Sequence, residues 1–244
     1  MSAIKAGILY LVPTPLGDTA CDLVLPLPVL QQVASLDYLI AENAKSARAF
    51  LKGVHAITPL RLPLQEIEIA KLDVSTKADQ LLALLEPLLS GRDAALVSEA
   101  GAPAVADPGA VLVALAHQLG VTVRPLPGPS SILLALMASG LNGQRFAFHG
   151  YLPVEPPARH KELQRLERDS KAARQTQIFI ETPYRNVAML DSCITSLSGA
   201  TRLCVACHLT MPDEQIVSLP VTDWKKRATL DLKGRPSIFL MLAD

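Results

Sequence analysis

Aromatic residues are scarce in this sequence: five Phe, four Tyr and one Trp among 244 residues. So few leave little for the stacking surfaces on which single-stranded nucleic acid is often held. Neither sign of charge is in excess, since 23 Lys and Arg balance 23 Asp and Glu. Long-range attraction to a polyanion or an anionic membrane is therefore not written into the total, although a local patch is compatible with it. No segment reaches the roughly 18 consecutive apolar residues of a membrane span. The apolar start, Gly7 to Val12 behind Lys5, is broken at once by Pro13, Pro15 and Gly17, and Asp18 stands where a cleavage site needs a small residue. It reads as a first β-strand, not as an export signal. The four cysteines are then expected to be free thiols, and the protein cytoplasmic.

Two nucleotide fingerprints are missing as well. No two glycines are separated by a single residue, which removes GxGxxG, and GxxxxGK[ST] does not occur. A Rossmann dehydrogenase and a P-loop enzyme are thereby set aside.

What is present is Ala, Leu and Val, in short apolar runs that alternate with helical patterns. Strands are expected at 8–12, 38–41, 56–60, 94–97 and 121–126, and helices at 28–34, 45–52, 78–89, 109–119 and 131–138. This alternation predicts an α/β protein with a mostly parallel sheet covered on both faces. From about residue 145 strands at 145–148, 177–180, 202–207, 215–219 and 237–242 follow with fewer helices, which predicts a second, mixed sheet. The expected organisation is an N-terminal α/β domain over 1–125 and a C-terminal mixed-sheet α/β domain over 126–244.

Several segments sit where open sheets bind ligands, beyond the carboxyl ends of strands. The turn 13–18 follows the first strand, and it suits either an ordinary βα turn or a ligand loop. Residues 98–108 are small residues and prolines enclosing Glu99 and Asp107. Such a loop lets a flat ligand approach the backbone, and Glu99 suits a ribose. Asp107, just ahead of Pro108, reads better as a helix cap. The stretch 126–131 ends a strand and opens a helix, so Ser130 and Ser131 fit a carboxylate site or a plain N-cap equally well. Glu181 to Asn186 follow the strand that ends at Ile180 and suit either a site edge or a helix start.

Two further patterns carry less. Cys204-Val205-Ala206-Cys207-His208 spells a haem-attachment motif, but it lies in a strand, where the odd offset sends the two thiols to opposite faces. No second ligand pair is near in sequence, so neither haem nor any other metal is expected. The charged helix over 159–174 aligns Lys161, Arg165 and Arg168, with Glu162, Glu167 and Asp169 between them. A solvated face is the plain expectation, and contact with a phosphate backbone the sharper one.

Taken together, the stretches LYLVPTPLGD, LIAEN, ALVSEAGAPAVADPG, VRPLPGPSSILLALMASGL, RFAFHGYLP and IETPYRN resemble, in order and approximate spacing from Leu9 to Asn186, the tetrapyrrole methylase superfamily. Within it they are most similar to the bacterial small-subunit ribosomal RNA (cytidine-2′-O)-methyltransferases. The resemblance implies two α/β domains with S-adenosylmethionine in the cleft between them, a homodimer, and ribosomal RNA or the small ribosomal subunit as partner. It implies that Leu16, Glu99, Ala100, Gly101, Ala102, Val105, Ser131 and Ile132 border the cofactor. Glu42 and Lys45, with Glu181 and Arg185, are expected to shape the acceptor pocket, without a base assigned among them. The alternatives are a small tetrapyrrole acceptor or a cofactor-binding relative without catalysis.

The sequence departs from those enzymes in three places. Where they typically read EDTRH, it has Glu42-Asn43-Ala44-Lys45-Ser46, so an arginine fork is replaced by a point charge. Leu64 to Ile67 stand where a His- and Asn-bearing stretch is usual, and the sequence ends at Asp244, short of a C-terminal segment common in those enzymes.

Overall fold

The computed structural model describes residues 5–227 and 230–243. They fall into two compact units, one ending at Ser130 and the other beginning at Ser131.

The first unit alternates strand and helix: β1 (Ile8–Val12), α1 (Leu27–Ala34), β2 (Tyr38–Ala41), α2 (Ala44–His55), β3 (Glu68–Lys71), α3 (Ala78–Leu89), β4 (Ala94–Val97), α4 (Gly109–Gln118) and β5 (Thr122–Pro125). All its strand pairs are parallel, in the order β3-β2-β4-β1-β5. Because side chains alternate across a strand, each strand feeds two cores. Tyr10, Val12, Leu39, Ala41, Ala95 and Val97 pack with α1 and α2 on one face. On the other, Leu9, Tyr38, Ile40, Ala94 and Leu96 pack with α3 and α4. Burial on both sides explains why these strands read as unbroken apolar runs.

Two local signals set helix starts. Pro28 stands in the first turn of α1, where its missing N–H costs nothing. Asn43 caps α2, its Oδ1 accepting from the Lys45 N–H at 2.8 Å.

The expected strand at 56–60 does not form. Helix α2 runs on to His55, turns occupy the next residues, and the edge strand is β3 instead. As an edge strand with one neighbour, β3 leaves Glu68 and Lys71 exposed and shows no apolar run.

The second unit holds α5 (Ser131–Ser139), β6 (Phe146–Tyr151), α6 (Pro156–Ala173), β7 (Thr176–Ile180), α7 (Asn186–Ser196), β8 (Arg202–Cys207), β9 (Gln215–Pro220), α8 (Val221–Trp224) and β10 (Ser237–Leu242). Its sheet runs β6-β7-β10-β8-β9 and is mixed: β6 and β7 are parallel, and the remaining pairs antiparallel. Phe179 and Phe239 stack at 5.6 Å between ring centroids inside its core. Among the described residues, no helix is long and apolar enough to cross a membrane.

Candidate functional site

The first sheet fixes where a ligand can sit. Strands β1 and β4 are neighbours, yet α1 leaves β1 toward one face and α4 leaves β4 toward the other. Adjacent strands whose connections part in this way open a crevice at their carboxyl ends. The loops that border it are 13–20 and 98–108. A two-way backbone bridge joins them: Thr14 N–H to Gly101 O at 3.0 Å, and Gly101 N–H to Thr14 O at 3.1 Å.

The second loop is held in a strained path. Ala104 and Ala106 both have left-handed backbones, with φ of 64° and 59°. Asp107 supplies the restraint. Its Oδ1 accepts from Ala104 N–H and Gly109 N–H, each at 2.8 Å, so it ties down the loop and caps the start of α4 together. Gly101, at φ +78°, lies against Leu16, and a Cβ there would meet Leu16 Cδ2 at 3.0 Å. Leu16 and Gly101 are thus brought together. Ala100 and Val105 are exposed beside them, and Ala102 is half-buried.

A pocket of about 380 Å³ opens alongside, with Thr14, Asp18, Ser46, Phe50, Gly53 and Glu99 among its walls. That volume falls within the range of small-molecule sites. The Ser46 hydroxyl stands 2.6 Å from Glu99 Oε1 and 2.9 Å from the Asn43 carbonyl, linking α2 to the 98–108 loop. Ser46 was not singled out in the sequence; only the pairing of β2 with β4 brings it within reach.

Negative charge gathers at this edge. Burial first, then Asp107, Glu99 and Asp73, raises the pKa of Glu42 above the usual carboxylate value. Burial raises that of Asp107 against the opposing pull of its two backbone hydrogen bonds. Lys45 is exposed in the first turn of α2. The edge is therefore suited to a cationic ligand.

The remaining expected site residues belong to the second unit. Ser131 and Ile132 are the first residues of α5. Glu181, which follows β7, has a fully buried side chain, and its Oε1 accepts from Arg185 Nη2 at 2.7 Å, the Thr182 N–H at 2.6 Å and the Thr182 hydroxyl at 3.1 Å. Burial pushes its pKa up, but these bonds outweigh it and hold the carboxyl below its ordinary value. Glu181 Oε2 and Arg185 Nε are buried without protein partners. The Arg185 guanidinium lies 5.0 Å from the ring centroid of the exposed Tyr184.

Cys204 and Cys207 are buried in β8, and no metal-holding group of His, Cys, Asp and Glu exists among the described residues. On α6, Arg165 is taken by Glu162 at 2.6 Å and Asp169 at 2.5 Å, so the middle charge of that face is neutralised within the helix.

A doubly wound parallel unit with a ligand crevice at its carboxyl edge, followed by a mixed-sheet unit, defines a two-domain α/β enzyme class. Residues 9–224 match the family described as Tetrapyrrole (Corrin/Porphyrin) Methylases, and the chain belongs to that family and is a methyltransferase. It is 35% identical over 218 residues to the ribosomal RNA small subunit methyltransferase I of Vibrio cholerae, covering 89% of this chain and 70% of that one. To the protein of the same name from Escherichia coli O157:H7 it is 34% identical over 233 residues, covering 93% and 75%. Among solved structures, the methyltransferase CobJ superposes with a TM-score of 0.61 at 18% identity, over 98% of this chain and 94% of that one. Uroporphyrin-III-C-methyltransferase from Thermus thermophilus does so with a TM-score of 0.55 at 18% identity, over 97% and 92%. These last likenesses establish the two-domain fold.

Proposed function

We propose that the protein transfers a methyl group from S-adenosylmethionine to small-subunit ribosomal RNA, onto the 2′ oxygen of a cytidine ribose. The observation that carries the donor assignment is the Thr14–Gly101 bridge, which holds two small-residue loops open at the crevice between β1 and β4. Leu16, Glu99, Ala100, Gly101, Ala102 and Val105 line the donor in this reading, with Ser131 and Ile132 contributing from α5. The carboxylates of Glu42, Glu99 and Asp107, gathered at this edge, favour a donor that carries a sulfonium and an ammonium. The acceptor assignment is supported by the relatives' names, by identities of 35% and 34% over most of the chain, and by the exposed Tyr184 beside Arg185.

The donor supplies a methyl carbon that is already electrophilic. The protein's work is then alignment: an acceptor oxygen must be held in line with the departing sulfur at about 3 Å. In this reading Glu42 and Lys45 on the first unit, and Glu181 and Arg185 on the second, handle the acceptor and the proton it loses. A homodimer acting in the cytoplasm completes the reading.

The test is to incubate the protein with methyl-labelled S-adenosylmethionine and small ribosomal subunits from cells that lack it. Label mapping to one ribose is the expected result. Donor binding without RNA label, together with transfer to a tetrapyrrole, would overturn the RNA assignment.

A further inference from the structure

The end of the second sheet formed by the starts of β6, β7 and β8 and the finish of β10 gathers basic side chains from three separate segments. Arg145 precedes β6, Arg168 lies on α6, Arg174 caps that helix, and Arg202 opens β8. Hydrogen bonds hold the segments together. Arg145 Nη1 donates to Ala173 O at 3.2 Å, Asn142 Nδ2 to Arg174 O at 2.7 Å, and Arg202 Nη1 to Gly140 O at 3.2 Å. Asn142, Lys171, Arg174, Leu242 and Ala243 line a recess of about 480 Å³ among them.

None of these four arginines is in an ion pair among the described residues, and the two acids flanking Arg168 on α6 are engaged elsewhere. Glu167 Oε1 accepts from the Ser198 N–H and the Thr201 hydroxyl, and Asp169 pairs with Arg165. In a protein of zero formal charge these four arginines, none paired with an acid among the described residues, concentrate positive charge locally. The helix dipole accounts for cations near the last turn of α6. It does not account for Arg202, which comes from a strand. Nor does it account for the backbone of Arg174, held at φ +50°, where glycine is the residue that fits without strain.

We propose that this surface docks the phosphate backbone of RNA, beyond the nucleotide that is methylated. Charge complementarity commits it to a polyanion, and four cations drawn from three segments suit a run of phosphates better than a single one. The inference rests on the ribosomal RNA reading above.

The test measures binding of small-subunit ribosomal RNA across a range of salt concentrations. It compares the wild type, the double variant Arg168→Gln/Arg174→Gly and the triple variant that adds Arg145→Gln. For the triple variant, the slope of log K against log salt should become shallower by about 2, and the Kd at about 0.1 M salt should rise roughly a hundredfold. The double variant, which removes no hydrogen bond made by the altered side chains, should show about two-thirds of that change in slope. S-adenosylhomocysteine binding should be unchanged in both, and Arg174→Gly alone should keep or raise the Tm, since it relieves the left-handed arginine.

Wild-type binding matched by both variants in Kd and slope would overturn the docking surface while leaving the ribosomal RNA reading intact. Unchanged RNA binding with lost affinity for anionic phospholipid vesicles would overturn it in favour of a membrane. A wild type that binds no small-subunit RNA at any salt would overturn the RNA reading and this surface with it.

Discussion

Thr14 and Gly101 exchange backbone hydrogen bonds of 3.0 and 3.1 Å across the gap between two loops that lie more than eighty residues apart in sequence. That pairing is possible because β1 and β4 are in register, Val12 opposite Val97, so both loops start level. Gly101→Ala strikes at this junction. At φ +78° a side chain costs about 1–2 kcal/mol. The new methyl would also press on Leu16 Cδ2 at 3.0 Å, displacing that side chain from its place in the proposed donor site. We expect the Tm to fall by roughly 2–8 °C. Calorimetric titration should show S-adenosylhomocysteine binding about tenfold more weakly, equivalent to about 1.4 kcal/mol. An unchanged Kd would remove Leu16 and Gly101 from the donor site.

Ser46→Ala isolates the link between α2 and Glu99. The hydroxyl is near the surface, so its loss should cost no more than about 1 kcal/mol of stability. Glu99 would lose the partner that aims it. If its carboxylate holds the donor ribose, donor affinity should fall severalfold, and Glu99→Ala should fall further without adding to the Ser46 effect. Additive losses in the double variant would mean the two residues act independently.

The first sheet was legible because its strands are buried on both faces. Strands β1, β2 and β4, like β8 and β10 later, coincide with their apolar runs, and α3 coincides with its leucine spacing. Strand β3 was not legible, for Glu68 to Lys71 form a half-exposed edge while the more apolar 56–60 turns away after α2. The site was readable in part. Strand-end loops announce themselves by small residues, but the Ser46–Glu99 contact depends on strand order. The arginine surface was hidden for the same reason: its members span residues 145–202, whereas the visible charge column on α6 pairs internally through Arg165.

Glu42→Gln should separate stability from activity. In the native state the carboxyl holds its proton more tightly than in the unfolded chain, because of burial and of Asp107, Glu99 and Asp73. Between the ordinary carboxylate value of 4.5 and the raised one the native protein therefore holds more protons than the unfolded chain, and stability falls as pH rises through that window. Removing the charge should raise the Tm at neutral pH, with the gain vanishing below the ordinary carboxylate range. If Glu42 handles the acceptor as proposed, methyl transfer should fall even so. A Tm gain with full activity would leave Glu42 as a structural cost with no catalytic return.

Glu181→Gln tests the opposite sign. Burial alone would raise the Glu181 pKa, yet Arg185 and Thr182 lower it, so the ionised form is the one the fold favours. Its contribution is complete above the unfolded carboxylate pKa and disappears as pH falls through the lower native value. The amide can keep one acceptor oxygen for Thr182, but it leaves the partly exposed Arg185 without a counter-charge. At pH 7 we expect a loss of about 1–3 kcal/mol, less than for a fully buried pair because Arg185 still reaches water. Chemical denaturation at stepped pH should show wild type and variant converging on acidification. A difference that persisted unchanged to the acid limit would mean that packing, not charge, links Glu181 to the end of β7.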